Sequence, residues 1–145
     1  MIPKIRGKQK SLPIENIIQE AQNMIANGIE EIILIAQDST RYGTDLYGKP
    51  MLFELLQELE NLKGNFTFRL LYLYPDILSL EHLKKLTTFK KFIPYFDIPL
   101  QHVSAPILKR MGRFYDEQAI GNFLDFIKNN FKTRFIRTNI IIGFP

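Results

Sequence analysis

The ten residues YFDIPLQHVS, at positions 95–104, combine an apolar run with an abrupt polar ending. Asp97 stands inside the apolar run, which breaks at Pro99 and continues into the polar residues Gln101 and His102. A strand that is buried on both faces is nearly continuously apolar, and an unpaired charge within it is costly. We therefore predict a buried strand that ends in a functional site. Asp97 is held there either by a ligand or by an ordinary structural hydrogen bond.

The composition indicates one globular domain. The chain has 145 residues, of which 46% are hydrophobic, and this is enough to bury a core. Its apolar runs are shorter than the roughly 18 residues of a membrane span, and its first residues lack the apolar stretch of a secretory signal. We expect a cytoplasmic protein with no membrane partner. The formal net charge of +4 permits contact with RNA or a ribosome without requiring it.

Cysteine is absent from the whole sequence. This absence excludes disulfides, thiolate nucleophiles and any iron–sulfur cluster or zinc site that depends on a cysteine of this chain. We predict no metal site from these residues alone. The common phosphate-binding, dinucleotide-binding, serine-hydrolase and zinc-protease motifs are also missing. His82 falls on a predicted helix and is interpreted as a surface residue, whereas His102 with Asp97 is a weak acid–base candidate.

Short apolar runs alternate with amphipathic helical patterns along the chain. The predicted strands span residues 31–36, 66–74, 92–100 and 135–142. Ser11, Ser79 and Asp116 are predicted to cap three of the helices. Because strands joined by short helical crossovers run parallel, we expect an α/β fold with a parallel sheet.

Polar and turn-forming residues follow the end of every predicted strand. They are Gln37, Asp38 and Ser39, then Tyr74, then Gln101 and His102, and last Gly143, Phe144 and Pro145. Ligands of parallel sheets bind at the carboxyl ends of the strands. The sequence therefore predicts a site along the carboxyl end of the sheet.

The two outer strands are predicted to leave the sheet open on both sides. The chain starts in a loop with no preceding strand and finishes on a strand with no returning helix. Open apolar edge strands tend to pair with other chains. We expect a partial parallel (β/α) barrel, truncated at both ends, that associates through its open edges.

Tyrosines and arginines, among them Tyr72, Arg110 and Arg113, could stack on bases and contact phosphates. That pattern would suit an RNA-binding module. The same residue types are ordinary at the rims of domains, so the residues alone leave both interpretations open.

Five segments in order resemble the radical SAM methylthiotransferases. They are IPKIRGKQKS (2–11), IAQDSTRYGTDLYG (35–48), RLLYLYPD (69–76), YFDIPLQHVSAPILKRMGR (95–113) and RTNIIIGFP (137–145). Relatives that modify tRNA typically carry Gln-Asn, Ser-His-Pro and Pro-x-Gln-Ser at three of the strand ends. This chain instead has Gln37-Asp38, Tyr74-Pro75 and the sequence PLQH, which resemble the branch that methylthiolates an aspartate of a small-subunit ribosomal protein.

The resemblance implies a radical SAM core that uses S-adenosylmethionine and [4Fe–4S] clusters, with a small ribosomal subunit protein as partner. It implies contacts to S-adenosylmethionine from Gln37, Asp38, Ser39, Gln101, Gly143, Phe144 and Pro145. It assigns Pro3, Arg6 and Gly7 to the loop that flanks the cluster. It places Tyr74, Asp97, His102 and Arg137 on the substrate side, without a specific role for each.

The missing cysteines separate this chain from the family. In the family a C-x-x-x-C-x-x-C loop lies just before the position of Met1, and none of its cysteines occurs here. We expect residues 1–145 to be a fragment with core strands two to five. The N-terminal cluster domain, the cysteine loop and the C-terminal RNA-binding-type domain would be absent, and the isolated chain would be inactive. The alternatives are a fragment of a tRNA adenosine methylthiotransferase, or a non-enzymatic module that binds S-adenosylmethionine or RNA.

Overall fold

Four parallel strands form one sheet in the order β1-β2-β3-β4, as the alternating pattern predicts. The computed structural model describes residues 7–74, 78–113 and 115–145. The strands are β1 (Glu31–Leu34), β2 (Thr67–Leu70), β3 (Phe92–Asp97) and β4 (Phe135–Arg137). The helices are α1 (Ile14–Ala26), α2 (Thr44–Tyr47), α3 (Leu52–Asn61), α4 (Leu80–Leu86), α5 (Ala105–Arg110) and α6 (Glu117–Asn130). A 3₁₀ turn covers Ser39–Arg41. Strands that follow one another in chain order, with helices between them, have the arrangement of a (β/α) barrel segment.

All four strands end earlier than predicted, and backbone geometry explains two of the cases. Beyond β2, Tyr72 adopts a left-handed conformation with φ of 57°, which a β ladder does not accommodate. Beyond β3, Pro99 has no N–H to donate, and Gln101 is again left-handed with φ of 66°. Pairing with the β4 side resumes at a single bridge between Gln101 and Ile140.

Two of the three predicted helix caps are confirmed. The Asp116 carboxylate accepts a hydrogen bond from the Ala119 amide at 2.8 Å at the start of α6. At the start of α4, Ser79 and His82 each accept a hydrogen bond from the other's backbone amide.

The other cap and the surface assignment of His82 are corrected. Helix α1 begins at Ile14 after Pro13, and Ser11 directs its side chain to Asp45 instead of to the helix. His82 is partly buried because its ring stacks on Phe53 with 4.6 Å between centroids, in addition to its role in the cap.

The sheet buries one face and exposes much of the other. Ile32 pairs with Phe68, and both are buried. In the next pair, Ile33 is exposed and Arg69 is partly buried. The core joins the buried face to apolar stripes of the helices. Its largest fully buried side chains include Phe68, Phe96, Leu56, Leu59 and Ile127. Across the described residues, no helix is both long and apolar enough to cross a membrane.

Replacing Phe96 tests the assignment of one buried and one largely exposed face to the sheet. Phe96 is 0% exposed and packs edge-on against Phe92 and Phe131, so Phe96→Ala should lower the free energy of unfolding by about 3–5 kcal/mol. Phe135→Ala is the matched control, because Phe135 lies on the neighbouring strand but is 62% exposed. Urea unfolding followed by circular dichroism measures both, and equal losses would contradict the burial described.

Candidate functional site

The end of β1 uses two of its three polar side chains for structure. Asp38 accepts hydrogen bonds from the Thr40 amide at 3.0 Å and from Arg41 Nε at 3.0 Å. Ser39 is buried, and its Oγ donates to the Leu71 carbonyl at 2.7 Å. Gln37 is exposed, and its side chain forms no hydrogen bond to the described residues. Of the three, Gln37 therefore has an amide available to a ligand.

Asp97 ties β2, β3 and β4 together. The carboxylate is 3% exposed, and its Oδ2 accepts a hydrogen bond from the Tyr72 amide at 3.2 Å. Its Oδ1 lies 3.8 Å from Arg137 Nε, and its carbonyl accepts from the Leu73 amide at 2.8 Å. The buried charge thus has partners within the protein. The Arg137 side chain is 53% exposed, so much of its guanidinium faces solvent.

The turn after β3 holds Gln101 and His102 by backbone contacts. The Gln101 amide donates to the Asn139 carbonyl at 2.8 Å, and its own carbonyl accepts from the Ile141 amide at 2.7 Å. His102 Nδ1 accepts a hydrogen bond from the Ser104 amide at 2.9 Å. The polar contacts of Asp97 go to Tyr72 and Arg137, so the described residues give no direct His102–Asp97 pair.

Two arginines that follow β3 reach the other strand ends, and neither was included in the predicted site. The Arg113 guanidinium lies over the ring of Tyr74, 4.8 Å from its centroid. Arg110 lies over the ring of Phe144 at 5.8 Å and donates to the backbone oxygen of Pro145. The signal in the sequence is the basic stretch after Ser104, whose arginines are also compatible with an RNA contact. Arg–aromatic pairs of this kind hold neighbouring segments together at the carboxyl end of the sheet.

The N-terminal segment, residues 9–14, is fastened to the loop at residues 41–47. Ser11 donates to Asp45 through its amide at 2.7 Å and through its Oγ at 2.6 Å. Tyr42 Oη donates to the Leu12 carbonyl at 2.7 Å. Burial, followed by the charges of Tyr47 and Glu15, raises the pKa of Tyr42 to about 12, so this donor keeps its proton at neutral pH.

The residues present do not fit an iron–sulfur cluster. The sequence has no cysteine, and the described residues contain no group of three His, Cys, Asp or Glu side chains able to hold a metal ion. Gly7 is exposed with φ of 79°, and Pro3 and Arg6 lie outside the described residues, as do Pro75 and Asp76.

Two features at the carboxyl end of the sheet are compatible with a polar ligand such as S-adenosylmethionine. Gln37 has hydrogen-bonding capacity that the described residues do not use. Gly143 has φ of 73°, and the space where a Cβ would project is open. A left-handed glycine lets a ligand approach the backbone closely.

Comparison with known proteins assigns the chain to a family. The sequence profile of the radical SAM superfamily matches residues 1–145. The chain is 46% identical over 144 residues to a protein named ribosomal protein uS12 methylthiotransferase RimO from Dictyoglomus thermophilum, covering 99% of this chain and 33% of the relative. The proteins of the same name from Clostridium tetani and Carboxydothermus hydrogenoformans are 46% and 45% identical over the same share of this chain, and 32% and 33% of their own lengths are covered. The chain thus spans about one third of the length of these curated relatives.

Removing the Asp97 carboxylate tests its role as a tie between strands. Asp97→Ala leaves the Tyr72 amide without its acceptor and Arg137 without its counter-charge, so the free energy of unfolding should fall by about 1–3 kcal/mol. Asp97→Asn keeps an acceptor and should lose less. Asp125→Ala on the exposed side of α6 is the control. Unfolding curves that show equal effects at positions 97 and 125 would contradict this role.

Proposed function

Because the chain belongs to the radical SAM superfamily, we propose that it is part of an enzyme that methylthiolates an aspartate of a small-subunit ribosomal protein. The observation that carries this proposal is the 46% identity, over 99% of the chain, to a protein named ribosomal protein uS12 methylthiotransferase RimO. The strand-end residues Gln37-Asp38 and Gln101-His102, which resemble that branch and not the tRNA-modifying one, agree with it. Such an enzyme would work in the cytoplasm, where ribosomes are.

The carboxyl end of the sheet is the proposed site for S-adenosylmethionine. The free amide of Gln37 would bind the polar methionine portion, while Asp38 and Ser39 would shape the turn that presents it. Gln101 and residues 143–145 would form the wall beside the nucleoside, with Gly143 leaving room for close approach. When bound, S-adenosylmethionine supplies the radical precursor of the superfamily's chemistry.

The substrate side is proposed to lie next to Asp97. Arg137 offers N–H donors towards solvent while Asp97 orients it from behind, and this arrangement suits an anionic group such as an aspartate side chain. Because His102 Nδ1 accepts a hydrogen bond from Ser104, the neutral ring carries its proton on Nε2 and can donate it to a ligand. Tyr74, stacked under Arg113, would close this side of the site.

The 145 residues do not carry the reaction by themselves under this proposal. The cluster of the superfamily needs thiolate ligands, and this sequence has none. We derive no step through a cluster from these residues. Their part is to bind and orient S-adenosylmethionine and the substrate, and to enclose both at the carboxyl end of the sheet.

A deletion strain tests the proposed substrate. Removing the gene that encodes this chain should abolish the methylthio group on the ribosomal protein, measured by mass spectrometry of the intact small-subunit proteins. Methylthiolated tRNA nucleosides from the same cells serve as the internal control and should be unchanged. Loss of the tRNA modification, with the methylthio group still present on the ribosomal protein, would instead identify a tRNA methylthiotransferase.

We also propose that the purified chain associates through its open edge strands. Among the described residues, strands β1 and β4 each have one neighbouring strand, and β4 carries the exposed side chains of Phe135 and Ile136. Light scattering during gel filtration should show mass that rises with protein concentration, and Phe135→Lys should reduce the association. Lys132→Ala, in the turn before β4, is a control substitution off the strand. A monomer at every concentration would refute the association.

A further inference from the structure

Residues 9–13 of the N-terminal segment have no regular secondary structure, yet the segment is held at defined positions. Asp45 accepts three of its hydrogen bonds: from the Ser11 amide, from Ser11 Oγ, and from Gln9 Nε2 at 3.2 Å. Gln9 Nε2 also lies 2.8 Å from the carbonyl of Arg41. One exposed carboxylate therefore collects donors from two residues of the segment. We call this arrangement the Asp45 clasp.

The loop on the other side of the clasp is shaped to receive the segment. The Gly43 amide donates to Ser11 Oγ at 3.0 Å, so the hydroxyl both donates and accepts within the clasp. Tyr47 Oη accepts a hydrogen bond from the Ile14 amide at 3.0 Å, where α1 begins. Together with Tyr42, these contacts fix the segment along its whole length.

The clasp is continuous with the carboxyl end of the sheet. The loop that holds the segment follows directly from the 3₁₀ turn at Ser39–Arg41, which Asp38 caps. Ser39 is in turn bonded to Leu71 and Tyr72, at 2.7 Å through its Oγ and 3.2 Å through its amide. The segment before α1 and the end of β1 therefore belong to one hydrogen-bonded unit, although they are far apart in sequence.

The chemistry of Asp45 suits this task. Hydrogen bonds from the Ser11 hydroxyl and amide hold the pKa of Asp45 below its usual value, so the carboxylate is ionised at neutral pH. Hydrogen bonds to an ionised acceptor are shorter and stronger than those to a neutral one. An amide at this position would provide one acceptor oxygen where the carboxylate provides two.

We infer that Asp45 is a positioning residue that sets the distance between residues 7–8 and the Gln37–Ser39 strand end. The inference rests on the proposed function, because that function places S-adenosylmethionine at Gln37, next to the strand end to which the clasp is bonded. Asp45 acts through Ser11 and Gln9, and its effect is to keep residues 7–8 at a fixed spacing from the strand end.

A pair of spin labels measures this spacing directly, and the cysteine-free sequence allows labels to be placed without background. Lys8→Cys and Ala36→Cys, both exposed, put one label on each side of the clasp in the 145-residue chain. Electron–electron resonance should give a narrow distance distribution for this chain and a broad one after Asp45→Asn or Ser11→Ala. Ser11→Thr keeps the hydroxyl and should restore the narrow distribution. Asp125→Asn is the matched control and should leave it narrow.

Hydrogen exchange gives a second readout. The backbone amides of Ser11 and Ile14, which donate to Asp45 and Tyr47, should exchange about tenfold faster after Asp45→Asn, while those of α6 keep their protection. A distribution that is broad before any change at position 45, or one that Asp45→Asn leaves narrow, would overturn the inference. Neither measurement uses S-adenosylmethionine, a cluster or activity. Failure of the proposed substrate in the deletion strain is therefore distinguishable from failure of the clasp.

Discussion

A single buried carboxylate connects three of the four strands. Asp97 is the last residue of β3. Its carboxylate accepts a hydrogen bond from the Tyr72 amide beyond β2 and pairs with Arg137 at the end of β4. Each partner meets a different need: the Tyr72 backbone requires an acceptor where the ladder stops, and the buried charge requires a cation. The ends of β2, β3 and β4 are therefore joined at this one residue.

The order of elements could be predicted from sequence because apolar periodicity and capping residues are local signals. The helix start at Asp116 and the β3 run from Phe92 follow from such patterns. The ends of β2 and β3 could not be predicted, because they depend on left-handed conformations at Tyr72 and Gln101. Neither residue is a glycine, so nothing in the local sequence announces the change of direction.

The shared edge formed by the carboxyl ends of the strands was predictable from sequence, but the contacts of the side chains at that edge were not. The Ser39 hydroxyl donates a hydrogen bond to the Leu71 carbonyl. His102 Nδ1 accepts a hydrogen bond from the Ser104 amide and does not pair with Asp97. Ser11 was expected to cap a helix, and its partner Asp45 lies more than thirty residues later in the chain. Pairings at such separation depend on the fold itself, and a pattern of residue types does not specify them.

Gly43 restricts how this protein can vary. Its φ of 84° disfavours any side chain, and a Cβ at this position would lie 2.9 Å from Met51 Cβ, so two independent obstacles coincide. Leu46, in the same loop, is exposed and lies outside the Asp45 clasp, so its side chain is free to vary. Directed evolution of the loop should therefore change its exposed side chains and retain glycine at position 43. Any redesign of this loop has to keep that glycine.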